Sequence, residues 1–183
     1  MKKFLATMAT AAIFTVSASA VSAAEFNDVP AIHWAYPSVT AMADAKIIPR
    51  SKDGKFYGDK NVTRSEMAQM AANLLLKVSP DSKAAAKKIV QIYSENGDKA
   101  ATRFEIASML TEVYAKAHKG ALPDSPNAFA DVSDKHWAAE SVNFMAATKI
   151  MEGYGDGTFR GDRNMTRYEA ALTLANLYKI LSA

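Results

Sequence analysis

Residues 25–48, EFNDVPAIHWAYPSVTAMADAKII, align without a gap with residues 128–151, AFADVSDKHWAAESVNFMAATKIM. The register, an offset of 103 positions, holds through DGKFYGDKNVTRSE (53–66) and DGTFRGDRNMTRYE (156–169). Phe26, Asp28, His33-Trp34-Ala35 and Thr63-Arg64 thereby meet Phe129, Asp131, His136-Trp137-Ala138 and Thr166-Arg167. Self-similarity of that length marks duplicated structural units, each too small to bury a core alone.

Both copies read as helix-loop-helix. An extended F-x-D-V segment leads into a first helix from about the tryptophan. Its apolar positions are Val39, Met42, Ala43 and Ile47, matched by Val142, Met145, Ala146 and Ile150. That is helical spacing. Pro37 falls in the first turn, where a missing N–H does little harm. After a Gly- and Asp-rich loop, a second helix opens at the threonine. It buries Met67, Met70, Ala71 and Leu74 in one copy, and Ala170, Leu174 and Leu177 in the other.

A degenerate third unit lies between them. Ser79-Pro80-Asp81 reads as its helix start, Ala85, Ile89 and Ile92 as its apolar stripe, and Gly97 as its stop. ATRFEIASMLTEVY then repeats the second helix, with Ile106, Met109, Leu110 and Val113 facing the core. The expected division is 25–79, 80–119 and 120–183, the last beginning with a linker that contains Gly120, Pro123 and Pro126.

Thr-Arg-x-Glu occurs three times, at 63–66, 102–105 and 166–169. Thr-x-x-Glu is a capping box, which assigns Thr63/Glu66, Thr102/Glu105 and Thr166/Glu169 to helix N-termini. The arginine is out of place there, because a helix N-terminus carries partial positive charge. Arg64, Arg103 and Arg167 therefore need either a carboxylate of a neighbouring unit or a ligand anion, and the planar guanidinium suits both.

Residues 1–24 read as a secretory signal: Lys2 and Lys3, an apolar stretch from Phe4 to Val16, then small residues before a cleavage site. Without those lysines the 22 basic residues fall to 20 against 19 acidic, a balance that gives no argument for nucleic acid. No later segment is long and apolar enough to span a membrane. The chain has no cysteine, hence no disulfide framework or thiolate metal site.

Trp34 and Trp137 read either as packing between units or as stacking platforms for a sugar or cation. His33 and His136 have no second ligand at metal spacing and read as capping or packing residues. The Asp-Gly loops do not form EF-hands, since the twelfth position from Asp53 or Asp156 is an arginine where a bidentate Glu is required. No nucleophile–base pair, metal cluster or isolated carboxylate pair stands out, so the chain reads as no enzyme and needs no cofactor.

The combined pattern F-x-D-V…H-W-A…GYGDGTFRGDRNMTRYE resembles the S-layer homology (SLH) family. The likeness spans all of the last unit, most of the first, and the middle unit from Ala101 onward. It implies a mainly α fold in which SLH repeats pack as a pseudo-threefold helical assembly with ligand grooves between them. It further implies non-covalent attachment to peptidoglycan or to a secondary cell-wall polysaccharide, by an exported protein of the periplasm or cell wall. The resemblance implies as ligand either a pyruvylated polysaccharide or polyamine-bearing peptidoglycan. Carried over by position, the implied glycan-binding residues are Trp34, Arg64, Arg103 and Trp137, together with Gly153, Tyr154, Asp156 and Arg167. PRSKDG (49–54) replaces EGYGDG (152–157) in the first unit, so binding is expected mainly in the last, where Trp137, Tyr154 and Arg167 would act together. The alternative reading is an envelope scaffold that binds another envelope protein and has lost its glycan.

Overall fold

The computed structural model describes residues 26–183. The expected signal segment, 1–24, lies outside the described residues. The fold is mainly helical. Six helices follow in order: α1 (Tyr36–Asp44), α2 (Arg64–Val78), α3 (Lys83–Tyr93), α4 (Arg103–His118), α5 (Ala139–Ala147) and α6 (Arg167–Leu181). Among the described residues there is no strand, only three isolated bridges.

The long helices form where the apolar spacing places them. Met67, Met70, Ala71 and Leu74 of α2 are buried, as are Ile106, Met109, Leu110 and Val113 of α4 and Ala170, Leu174 and Leu177 of α6. Each fully buried Leu, Ile or Met contributes about 1.5–3 kcal/mol relative to exposure. All three helices open on a capping box. The threonine hydroxyl accepts from the Glu amide, and the Glu carboxylate accepts from the threonine amide.

The first helices differ from expectation at their starts. α1 and α5 begin two residues after Trp34 and Trp137. The intervening turn is closed by the histidines: His33 Nδ1 accepts from the Ala35 amide and His136 Nδ1 from that of Ala138, both at 3.2 Å. The F-x-D-V segment is a turn rather than extended chain, with the Val29 and Val132 amides donating to the Phe26 and Phe129 carbonyls. α3 starts at Lys83 because Ser79 and Ser82 close a turn of their own ahead of it. Its buried side is Ala86 and Ile89, while Ile92 points outward at 45% exposure.

Packing runs mainly between units, although α3 also touches α4 of its own unit. α1 packs on α6, α3 on α2 and α5 on α4, so each short helix covers the long helix of another unit. α2, α4 and α6 also meet pairwise. Their N-terminal ends are joined by a closed ring of backbone hydrogen bonds. The Val62 amide donates to Met165 O (2.9 Å), Met165 to Ala101 O (3.2 Å) and Ala101 to Val62 O (2.9 Å).

Candidate functional site

The helix N-termini make the seams between units. A helix leaves its first amides without intrahelical partners. Here the first two are satisfied by the next unit. Arg64 and Ser65 donate to Lys99 O and Gly97 O, Arg103 and Phe104 to Arg163 O and Gly161 O, and Arg167 and Tyr168 to Lys60 O and Gly58 O. The third amide goes to the capping threonine.

This correspondence extends the middle repeat upstream of Ala101. GDKAATRFE (97–105) matches GDKNVTRSE (58–66) and GDRNMTRYE (161–169), a signal present in the sequence that reading Gly97 as a helix stop obscures. That glycine lies beyond the end of α3 and serves the seam instead. A Cβ on Gly97 would come within 1.8 Å of Ser65 Oγ, one on Gly58 within 2.1 Å of the Tyr168 ring, and one on Gly161 within 2.0 Å of the Phe104 ring. The third residue of each Thr-Arg-x-Glu therefore presses against a glycine of the next unit.

The arginines resolve into inter-unit partners. Arg167 donates from Nη1 to Glu66 Oε1 at 2.6 Å and from Nε to Phe56 O at 2.8 Å. Arg64 lies 3.3 Å from Glu105 Oε1. Arg103 is buried and donates to Phe159 O (2.8 Å) and Glu152 O (2.7 Å). Burial pushes its guanidinium down from its ordinary value. The third capping glutamate, Glu169, is taken by Arg163 at 2.8 Å, a bond that raises the Arg163 pKa. Of the two partners open to these cations, a neighbouring unit or a ligand, the geometry supplies the first.

Two of the three seams carry an aromatic cluster. In one, Tyr168 meets His33 at 4.2 Å, Phe56 at 5.5 Å and the edge of Trp34 at 5.9 Å. In the other, Phe104 meets His136 at 4.2 Å, Phe159 at 5.8 Å and the edge of Trp137 at 6.1 Å. The tryptophans stay open, Trp34 at 57% and Trp137 at 66% exposure. The third seam has Ser65 in place of a ring and no tryptophan. The expected grouping of Trp137, Tyr154 and Arg167 does not form. Arg167 belongs to the Trp34 seam, against Phe56 and Glu66, and it is Arg103 that lies beside Tyr154, 5.4 Å from its ring.

The loops are stapled by carboxylates. Asp28 accepts the amides of Phe56 and Tyr57, both at 2.7 Å, and Asp131 those of Phe159 and Arg160 at 2.7 and 2.8 Å. Burial opposes ionisation of Asp131, but these amides outweigh it and hold its pKa below the ordinary value. Asp156 bonds the Thr158 hydroxyl (2.6 Å) and the Arg160 guanidinium (2.7 Å), which lower its pKa to about 2. In the first unit the Tyr57 hydroxyl does the same for Asp53, also about 2. Arg160 stacks on Tyr154 at 4.1 Å. Gly153 is held by packing, since a Cβ there would meet the Phe129 ring at 2.1 Å. A hollow of about 380 Å³ opens between the middle and last units beside Arg103, Glu152, Glu169 and Asn176. Another, also of about 380 Å³, lies under the linker at Pro123, Asp124, Asp134 and Glu140.

Among the described residues no cluster of His, Cys, Asp or Glu could hold a metal ion, and no helix is long and apolar enough to cross a membrane. The model of the S-layer homology domain matches residues 25–68 and 128–171. Outer membrane protein SlpA of Thermus thermophilus is 53% identical over 49 residues, 27% of this chain and 5% of its own length. S-layer protein sap of Bacillus anthracis is 30% identical over 203 residues, 97% of this chain and 24% of its own. A cellulosome-anchoring protein of Acetivibrio thermocellus is 34% identical over 70 residues, 38% of this chain and 16% of its own. The chain thus spans about a quarter or less of the length of each relative.

Proposed function

We infer from the two S-layer homology domains this chain carries that it is a non-catalytic anchoring module of the bacterial envelope. It attaches to peptidoglycan or a wall-linked glycan, outside the cytoplasm, in the periplasm or wall. The observation that carries this reading is the recurrence of one exposed arrangement at two seams. Trp34 over Tyr168 and Trp137 over Phe104 share the same tilt at closely similar distances, although the neighbouring rings differ. Large exposed aromatic faces are costly to leave in water, and a sugar ring laid on one buries apolar C–H surface while its hydroxyls stay solvated.

In this reading Trp34 and Trp137 are the contacting residues, with Tyr154 and Asp156 at the rim of the second seam. Arg64, Arg103 and Arg167 act as positioning residues that hold the seams closed, and Gly153 sets the loop. The repeat boundaries and a pseudo-threefold arrangement belong to the same reading, supported by the ring of amides at Val62, Ala101 and Met165. The relative from Acetivibrio thermocellus, named for anchoring, agrees with this role.

The test uses the chain's two tryptophans as reporters. Soluble fragments released from purified, protein-free walls should change the tryptophan emission saturably. Fragments from walls stripped of pyruvyl groups, or of polyamines, identify which decoration is read. An emission unchanged by any wall fragment, with the protein instead captured by envelope proteins, would favour the scaffold reading.

A further inference from the structure

The middle unit has no aromatic platform, and its short helix is α3. This helix has no side-chain cap and no acidic residue in its first turn. Lys83, its first residue, sits against the positive end of the helix dipole. Lys87, one turn on, repels it, since like charges four residues apart destabilise a helix. Lys88 adds a third charge beside them. All three are exposed. The arginines at the seams have the same local misplacement, but each is answered by a carboxylate or carbonyl of another unit. Lys83, Lys87 and Lys88 make no ion pair among the described residues, and Asp81 and Glu95, which flank the helix, do not pair with them.

We propose that this lysine face docks the protein on an anionic lipid surface. The charge complements a polyanion, and two features favour a surface. Lysine is a compact point charge without the fork that reads a single carboxylate or phosphate, so three spread over one exposed helix sum attraction over an area. In addition, α3 lines neither hollow described above, whereas a peptide segment would need a groove. Ile92, one turn beyond Lys88 and 45% exposed, supplies an apolar side chain that reaches the headgroup boundary. Trp34 and Trp137 pack on Tyr168 and Phe104 and not on α3, so the lysine surface does not depend on wall binding.

The experiment is co-sedimentation of the chain from Glu25 onward, which holds every contact described, with vesicles of phosphatidylcholine alone or mixed with phosphatidylglycerol. Binding should require phosphatidylglycerol and weaken in about 0.5 M salt, where screening shortens the reach of surface charge. Each lysine near an anionic surface is worth about fivefold, so Lys83→Gln, Lys87→Gln and Lys88→Gln together should lower the vesicle partition roughly a hundredfold. The melting temperature of that triple variant should stay level or rise, because the substitutions relieve repulsion. Trp34→Ala with Trp137→Ala should leave vesicle binding unchanged. Equal binding to neutral vesicles overturns the proposal. So does a triple variant that binds anionic vesicles normally, or one that loses wall binding instead, which would assign the lysines to a wall polyanion.

Discussion

Arg167 and Glu66 stand 101 residues apart in the chain and 2.6 Å apart in the fold. The glutamate has two duties: its Oε2 accepts the Thr63 amide in the capping box, while its Oε1 takes the arginine that opens α6. A cation that its own helix disfavours is thereby held by the carboxylate of another. Replacing Arg167 with Gln should cost about 1–2 kcal/mol of stability, since the Phe56 carbonyl also loses a charged donor. Glu66→Gln preserves the cap, and a double-mutant cycle between the two should show coupling of about 1 kcal/mol. Strictly additive losses would leave the pair without energetic weight.

Because α5 packs on α4 and not on α6, the last unit contains two helices that do not support each other. A fragment of residues 120–183 should lack a cooperative thermal transition, although it holds a complete family match. Circular dichroism melts of fragment and full chain decide the matter, and a sharp independent transition in the fragment refutes the account of packing.

The seam glycines should be intolerant of any side chain, as the exposed Gly155 should not be. Gly161→Ala and Gly58→Ala drive a methyl into the Phe104 and Tyr168 rings, an overpacking cost of about 1–3 kcal/mol. A methyl on Gly155 would meet nothing within 4 Å, so Gly155→Ala should change the melting temperature little. Similar melts for all three variants would contradict the close approach.

The Asp156 staple has a defined pH window. Its pKa is depressed from 3.8 to about 2, first by the Thr158 hydroxyl and then by Arg160. A carboxylate depressed on folding contributes stability above its unfolded pKa and loses it as pH falls through the folded one. The Thr158 amide resonance should therefore titrate with a midpoint near 2, and in Asp156→Asn that step should vanish. A midpoint at the ordinary carboxylate value would mean the bonds do not persist in solution.

Much of this architecture is legible in the sequence because it is local. Helical spacing locates the buried faces of α2, α4 and α6, and Thr-x-x-Glu locates their first residues, since a cap is written within four positions. Legibility fails where side chains compete with the backbone over a short turn. The histidines at 33 and 136 delay α1 and α5 by two residues, and Ser79 with Ser82 moves the start of α3. The destinations of the arginines are not legible either, because helical spacing says nothing about which unit lies next to which. Gly97 is the instructive case. Aligned on Gly58 and Gly161 it belongs to the repeat, yet read alone beside a helix it resembles a stop.

We propose that both exposed tryptophans, and not that of the last unit alone, attach this protein to the wall, because the two seams share one geometry; sedimentation with purified, protein-free sacculi tests this most directly. Trp34→Ala and Trp137→Ala should each weaken binding by roughly threefold to tenfold, with the melting temperature nearly unchanged because both rings lie at the surface. The double variant should remain in the supernatant. A double variant that pellets with sacculi as the unaltered protein does would contradict the account, whatever the single variants show.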